Sequence, residues 1–262
     1  MKQSLEEVAS LLVELAEKAS EAILAHYGDA DAEGARNKAD GSPVTPADLE
    51  ANRVIVDGLK RAFPGIPILA EESPDTAARQ DARWLFLVDP LDGTKEYLAR
   101  NGEFSVNIAL LEEGRPVVGV VRMPVSGRVF HAARGQGAWM SDAAGALQPM
   151  QVSERTDGLI LAVSRSHVTL ELERIASHPK VGHVVRAGSA LKGCMIACGE
   201  ADAYYRFGRT MEWDTAAMQC IVEEAGGVMR QMDGTPMEYN KAVPDNPKGF
   251  FILNRMENRL VG

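Results

Sequence analysis

Few cysteines, no long apolar run and no surplus of basic residues set the first limits on this chain of 262 residues. Three cysteines cannot build a disulfide framework. Cys194 and Cys198 fall one helical turn apart with no third ligand near in sequence, so they read as core thiols rather than a zinc site. That cysteine usage fits a reducing cytoplasm. No uninterrupted stretch of about 18 apolar residues exists, so no helix is expected to span a membrane. The opening Met1-Lys2-Gln3-Ser4-Leu5-Glu6-Glu7 lacks the apolar core of a secretory signal, and no pattern supports association with the surface of an inner membrane. With 28 Lys and Arg against 37 Asp and Glu, the net charge is −9. A nucleic-acid polymer needs the opposite surface. No G-x-x-x-x-G-K-[ST] loop occurs, which argues against an NTPase.

What is present is ordinary for a globular enzyme: 45% hydrophobic and 25% charged residues, enough for one large domain or two packed halves. Residues 4–27 place Leu5, Val8, Leu12, Leu15, Ala19 and Ile23 at helical spacing. Residues 28–42 read as a polar loop carrying Lys38. Thr45-Pro46-Ala47-Asp48 is a helix start, with Thr45 as cap and Asp48 at the capping-box position, and the helix should run to about Phe63. Asp48 reads equally as a cap or as a member of an acid cluster. A short strand from Ile66 to Ala70 delivers Glu71 and Glu72. Phe104–Leu110, Pro116–Met123 and Arg128–Ala132, separated by turn signals, predict an antiparallel meander. The stretch 141–157 reads as a passage between halves, giving an N-terminal α+β half over 1–145 and a C-terminal α/β half over 146–262. Strands are expected at 159–164, 183–187, 203–207, 228–230 and 250–253. Helices are expected over 168–176, from Gly188-Ser189, and from Trp213 to Gly226-Gly227.

One stretch organises the rest. Trp84-Leu85-Phe86-Leu87-Val88 is a bulky apolar run that ends on Asp89, and Pro90 should stop the strand because it has no N–H to donate. Asp92-Gly93 supplies a tight bend, and Thr94 can open a short helix. Paired acids on a turn beside helical N–H groups suit a hard divalent cation carrying a phosphate. Asp48, Glu71, Asp89, Asp92 and Asp214 each stand at an element end. Acids gathered in one place repel unless cations neutralise them, and Mg²⁺ held among them can activate water and polarise a phosphoryl group.

Glu71-Glu72, Asp89-Pro90-Leu91-Asp92-Gly93-Thr94 and Trp213-Asp214-Thr215-Ala216-Ala217 together resemble the motifs of the inositol monophosphatase superfamily of metal-dependent, lithium-sensitive phosphatases. Asp92–Tyr97, Asn101–Leu110 and Ser164-Arg165-Ser166-His167 are similar to its bacterial 3'(2'),5'-bisphosphate nucleotidase branch. The resemblance implies a layered αβαβα sandwich, two or three Mg²⁺ ions, and hydrolysis of 3'-phosphoadenosine 5'-phosphate to AMP in sulfur assimilation. Inositol or another sugar phosphate is the alternative substrate. By the same resemblance, Glu71, Asp89, the Leu91 carbonyl, Asp92 and Asp214 hold metal, while Asp48, Glu71 and Thr94 act on the attacking water. Asp92, Gly93, Thr94, His167, Ser189, Lys192, Arg206 and Asp214 contact substrate, and Lys38 matches a lysine often found near the metals. Met218 stands where the family has glycine, and Gly208–Glu212 depart from the nucleotidase pattern.

Overall fold

The computed structural model describes residues 3–28, 35–38, 41–165 and 169–261. Helix α1 (Leu5–His26) begins at Ser4, whose Oγ accepts the Glu7 N–H while Glu7 returns a carboxylate to the Ser4 N–H. Its buried face carries Val8, Leu12, Leu15 and Ile23. In the expected loop, β1 (Arg36–Asn37) pairs antiparallel with β2 (Pro43–Val44). Helix α2 (Pro46–Ala62) starts with the Thr45/Asp48 capping box.

A sheet follows in sequence order: β3 (Ile68–Ala70), β4 (Trp84–Asp92), β5 (Ser105–Glu112), β6 (Arg115–Arg122), β7 (Val129–Ala133), β8 (Ala138–Ser141) and β9 (Leu147–Met150). Only the β3–β4 pair is parallel among these neighbours. Strand β4 does not stop at Pro90. It continues to Asp92 through a bulge, the register moving from Asp89↔Asn107 to Asp92↔Ser105. The extra residue lets the ladder skip a proline that has no N–H to give. Gly93, at φ +93°, then turns the chain into α3 (Thr94–Leu98). Leu147–Met150 pair with β8, so the first sheet carries past the 145/146 boundary expected from sequence. Three of these four residues are exposed, so an edge strand lacks the apolar alternation that marks the central ones.

The second half contains β10 (Leu159–Ser164), α4 (Leu170–Ala176), β11 (Val181–Ala187), α5 (Leu191–Ala197), β12 (Ala203–Arg206), β13 (Thr210–Met211), α6 (Glu212–Glu224), β14 (Val228–Gln231), β15 (Asp245–Asn246) and β16 (Phe250–Leu253). Its sheet runs in the order β11-β10-β12-β16-β14, and β13 pairs with β15 apart from it.

Alternation within the strands sorts the side chains into layers. Phe86, Val88, Ile108, Leu110, Val118 and Val120 face the core shared with α1 and α2. Leu85, Leu87, Ala109, Leu111 and Val121 face the opposite core, shared with α5, α6 and the second sheet. Beyond that sheet, Leu161, Val163 and Phe251 pack with Leu172 and Ile175 of α4. The order is helix, sheet, helix, sheet, helix: the αβαβα sandwich. A strand buried on both faces reads as an unbroken apolar run, which is why β4 was legible. Of the two thiols expected in the core, Cys194 is buried in the middle core and Cys198 packs partly buried against it; Cys220 is buried there too.

Candidate active site

The acids are brought together by register. Strand β3 runs parallel to β4 with Ala70 opposite Val88, and the Glu71 N–H continues the ladder to the Val88 carbonyl at 3.1 Å. Glu71 therefore lies beside the Asp89 end of β4. Asp89 is 1% exposed, and its Oδ1 accepts the Leu91 N–H at 3.0 Å across Pro90. The Leu91 side chain is sunk in the first core, so that residue can offer the site only backbone atoms. Burial raises the Asp89 pKa well above the ordinary carboxylate value, and Glu71, Asp92, Asp214 and Asp48 raise it further.

Asp48 and Asp214 solve the same local problem. Each is the third residue of its helix and gives one oxygen to the cap. Asp48 Oδ2 accepts the Thr45 N–H at 2.8 Å and the Thr45 hydroxyl at 2.6 Å, leaving Oδ1 to accept from Thr94 Oγ1 at 3.3 Å. Capping and a place in the acid set are thus compatible, one oxygen for each. Asp214 Oδ2 accepts the Met211 N–H at 2.7 Å. Burial, then Asp92, pushes the Asp214 pKa up to about 8.

Glu71, Asp92, Thr94, Lys192, Arg206 and Asp214 line one cleft of about 240 Å³ between the halves, and Gly93 and Ser189 border it too. His167 lies outside the described residues. The Lys38 ammonium pairs with Glu71 at 2.6 Å and also with Glu72, so it is not a solvated loop lysine. Among the described residues no three acidic, His or Cys side chains close on a single point as a ready-made cage. Mg²⁺ seldom asks for one: it keeps several waters and takes one or two carboxylates together with phosphate oxygens. An all-oxygen donor set, acids with raised pKa values and an ammonium already seated on Glu71 fit such a cation.

The opposite wall is cationic. Lys192, in the first turn of α5, is 4% exposed; its ammonium donates to the Ser189 carbonyl at 2.6 Å and lies 5.2 Å from the centre of the Tyr204 ring. Burial brings its pKa down to about 8, although Asp92 opposes the shift. The half-buried Arg206 guanidinium makes no hydrogen bond or salt bridge to another described residue. Met218 fills the space opposite Gly193, where an added Cβ would stand 2.2 Å from its Cγ and Sδ.

Sequence reasoning missed three parts of the site. Ser105 and Asn107 are buried polar residues on one face of β5, and Asn107 Nδ2 reaches Asp92 Oδ2 at 3.4 Å. Their period-two spacing within an apolar strand was the available signal. Glu103 accepts two hydrogen bonds from Arg165, at 2.9 and 2.5 Å, and one from the Gly188 N–H at 2.9 Å, tying the halves beside the cleft. No local pattern could announce a contact between residues so distant in sequence.

A layered αβαβα sandwich with paired acids at the end of a bulged strand defines a sugar-phosphatase class. The chain belongs to the inositol monophosphatase family, whose profile matches residues 4–255. It is 42% identical over 227 residues to the 3'(2'),5'-bisphosphate nucleotidase CysQ of Escherichia coli O157:H7, covering 86% of this chain and 91% of that one. The crystal structure of CysQ from Bacteroides thetaiotaomicron superposes with a TM-score of 0.83 at 37% identity, covering 95% of this chain and 98% of the other. An inositol monophosphatase from Anabaena (Nostoc) sp. PCC 7120 matches at 0.78 and 28% identity, over 98% of this chain and 95% of its own.

Proposed function

We propose that this chain is a Mg²⁺-dependent 3'(2'),5'-bisphosphate nucleotidase, converting 3'-phosphoadenosine 5'-phosphate to AMP and phosphate. The observation that carries the reading is one cleft with an acid wall and a cation wall. Glu71, Asp92 and Asp214 stand on the first, with the buried Asp89 behind them, and Lys192 and Arg206 stand on the second. A substrate with two phosphates needs both. The identity to CysQ relatives over most of both chains supports the same activity.

Glu71, Asp89, the Leu91 backbone, Asp92 and Asp214 would hold the metal ions, two or three in number. Mg²⁺ bound there supplies Lewis-acid stabilisation of phosphoryl oxygens and lowers the pKa of nearby water. Thr94 directs its proton to Asp48 Oδ1, which frees an Oγ1 lone pair to orient the attacking water. Asp48, whose pKa burial raises, takes the proton through that hydroxyl. Water oxygen bonds to phosphorus as the ester P–O bond breaks; the departing 3'-oxygen takes a proton from solvent to leave as an alcohol, and Asp48 gives up to solvent the proton it received. No covalent enzyme intermediate is needed. Gly93 turns the chain so that the backbone at 93–94 meets the scissile phosphate, and Lys192 and Arg206 receive the second one.

A Mg²⁺ assay across adenosine 3',5'-bisphosphate, its sulfated form, inositol monophosphate and fructose bisphosphate tests the reading. The adenosine bisphosphate is expected to give the highest kcat/KM. Excess chelator should abolish turnover and Mg²⁺ restore it, whereas Ca²⁺, with its looser shell, should inhibit. Full activity in chelator would remove the metal mechanism, and preference for inositol monophosphate would install the alternative substrate.

Lys192→Ala or Arg206→Ala should raise KM for the bisphosphate at least tenfold, about 1.4 kcal/mol of binding, and leave a simple monophosphate little changed. Because Lys192 carries its charge below about 8 and loses it above, kcat/KM for the bisphosphate should fall as pH rises through that value. The Lys192→Ala profile should lack that limb. Equal losses on both substrates would show that these cations serve the catalytic centre instead.

A further inference from the structure

Ser189 has a non-glycine side chain in the left-handed backbone region, at φ +54°. L-residues avoid that region because Cβ crowds the following carbonyl, so surrounding contacts must hold it. They do so from both halves of the molecule. The Gly188 N–H donates to Glu103 Oε2 at 2.9 Å, and that carboxylate is itself gripped by Arg165. A side chain at Gly188 would stand 2.5 Å from the Glu103 carbonyl oxygen, so the two backbones are pressed together. The Ser189 carbonyl accepts the Lys192 ammonium at 2.6 Å. With its backbone fixed this way, Ser189 sends its hydroxyl to Asp92 Oδ2 at 2.6 Å, where Asn107 Nδ2 also arrives at 3.4 Å, and touches Ser105 Oγ. A serine hydroxyl has one proton, and here it faces Asp92.

We infer that Ser189 is a positioning residue for Asp92: the left-handed turn at 188–189 holds Oδ2 of that carboxylate and presents Oδ1 alone to the cleft. This rests on reading Asp92 as part of the metal site, and it replaces the direct substrate contact expected for Ser189 from the sequence. It also links the walls, because the same peptide that pins Asp92 seats Lys192 through its carbonyl.

Two variants separate hydroxyl from backbone. Ser189→Ala removes the hydroxyl and keeps the crowded Cβ, whereas Ser189→Gly removes both. Calorimetric titration of the substrate-free enzyme with Mg²⁺ should show about tenfold weaker binding in both, the usual consequence of losing an outer-shell partner. At fixed Mg²⁺, kcat should fall by a similar factor, with KM for adenosine 3',5'-bisphosphate within about twofold. The metal-free glycine variant should melt above the alanine variant, since the left-handed strain is gone. Unchanged Mg²⁺ affinity with a tenfold rise in KM would return the hydroxyl to the substrate and overturn the inference. So would wild-type Mg²⁺ affinity in Ser189→Gly, which would make backbone strain the whole effect. An unmutated enzyme that takes up no Mg²⁺ would defeat the metal reading first, and the inference with it.

Discussion

Asp89→Asn is expected to lower kcat by about 10³-fold or more, roughly 4 kcal/mol on the barrier, while leaving the fold intact. Asparagine keeps an acceptor for the Leu91 N–H that Asp89 Oδ1 now holds. What it removes is a buried negative charge beside Glu71, Asp92 and Asp214. On the proposed metal-site reading bound cations would use that charge, whereas without them it repels its acidic neighbours. The melting temperature without Mg²⁺ should therefore stay level or rise in the variant, and the stabilisation that Mg²⁺ confers should shrink. Near wild-type turnover at saturating Mg²⁺ would remove Asp89 from the metal site.

The same electrostatics fixes a sign for pH. Asp214, at about 8 in the folded protein against an ordinary 3.8, holds its proton longer in the folded state than in the unfolded chain. The folded state then binds more protons across that window, so metal-free stability should fall as pH rises from about 4 to about 8. Mg²⁺ should flatten the decline.

Gly119→Ala should cost about 2–3 kcal/mol of stability, read as a lower urea midpoint at unchanged slope. Gly119 lies in β6 on the face turned toward α6, and an added Cβ would fall 2.4 Å from the Ala217 carbonyl oxygen. Backbone cannot give way as a flexible side chain can, so helix and sheet must separate. Helix α6 carries Asp214 in its first turn, and activity should fall with stability. A midpoint shift worth less than about 0.5 kcal/mol would mean that α6 does not press on β6 at this point.

Local chemistry and periodicity determined much of this protein. The Thr45–Asp48 box wrote the start of α2, the run from Trp84 to Asp89 wrote a buried strand, and Asp92-Gly93 wrote the turn after it. These signals lie within a few residues of one another, and neighbouring residues act on the backbone whatever the rest of the chain does. The motif set also pointed to metal-dependent phosphate chemistry, because acids at element ends with a glycine turn have few other uses. Only the tertiary structure decided what those acids face. Parallel pairing of β3 with β4 set Glu71 beside Asp89, Lys38 crossed a loop to meet Glu71 and Glu72, and the Ser189 hydroxyl reached Asp92 from the other half. The bulge that carries β4 through Pro90 needed Ser105 and Asn107 on the neighbouring strand. Gly119 looked like an ordinary strand glycine until α6 arrived against it. Each of these depends on residues far apart in the chain, whose meeting is set by packing of whole layers and leaves no mark in local sequence.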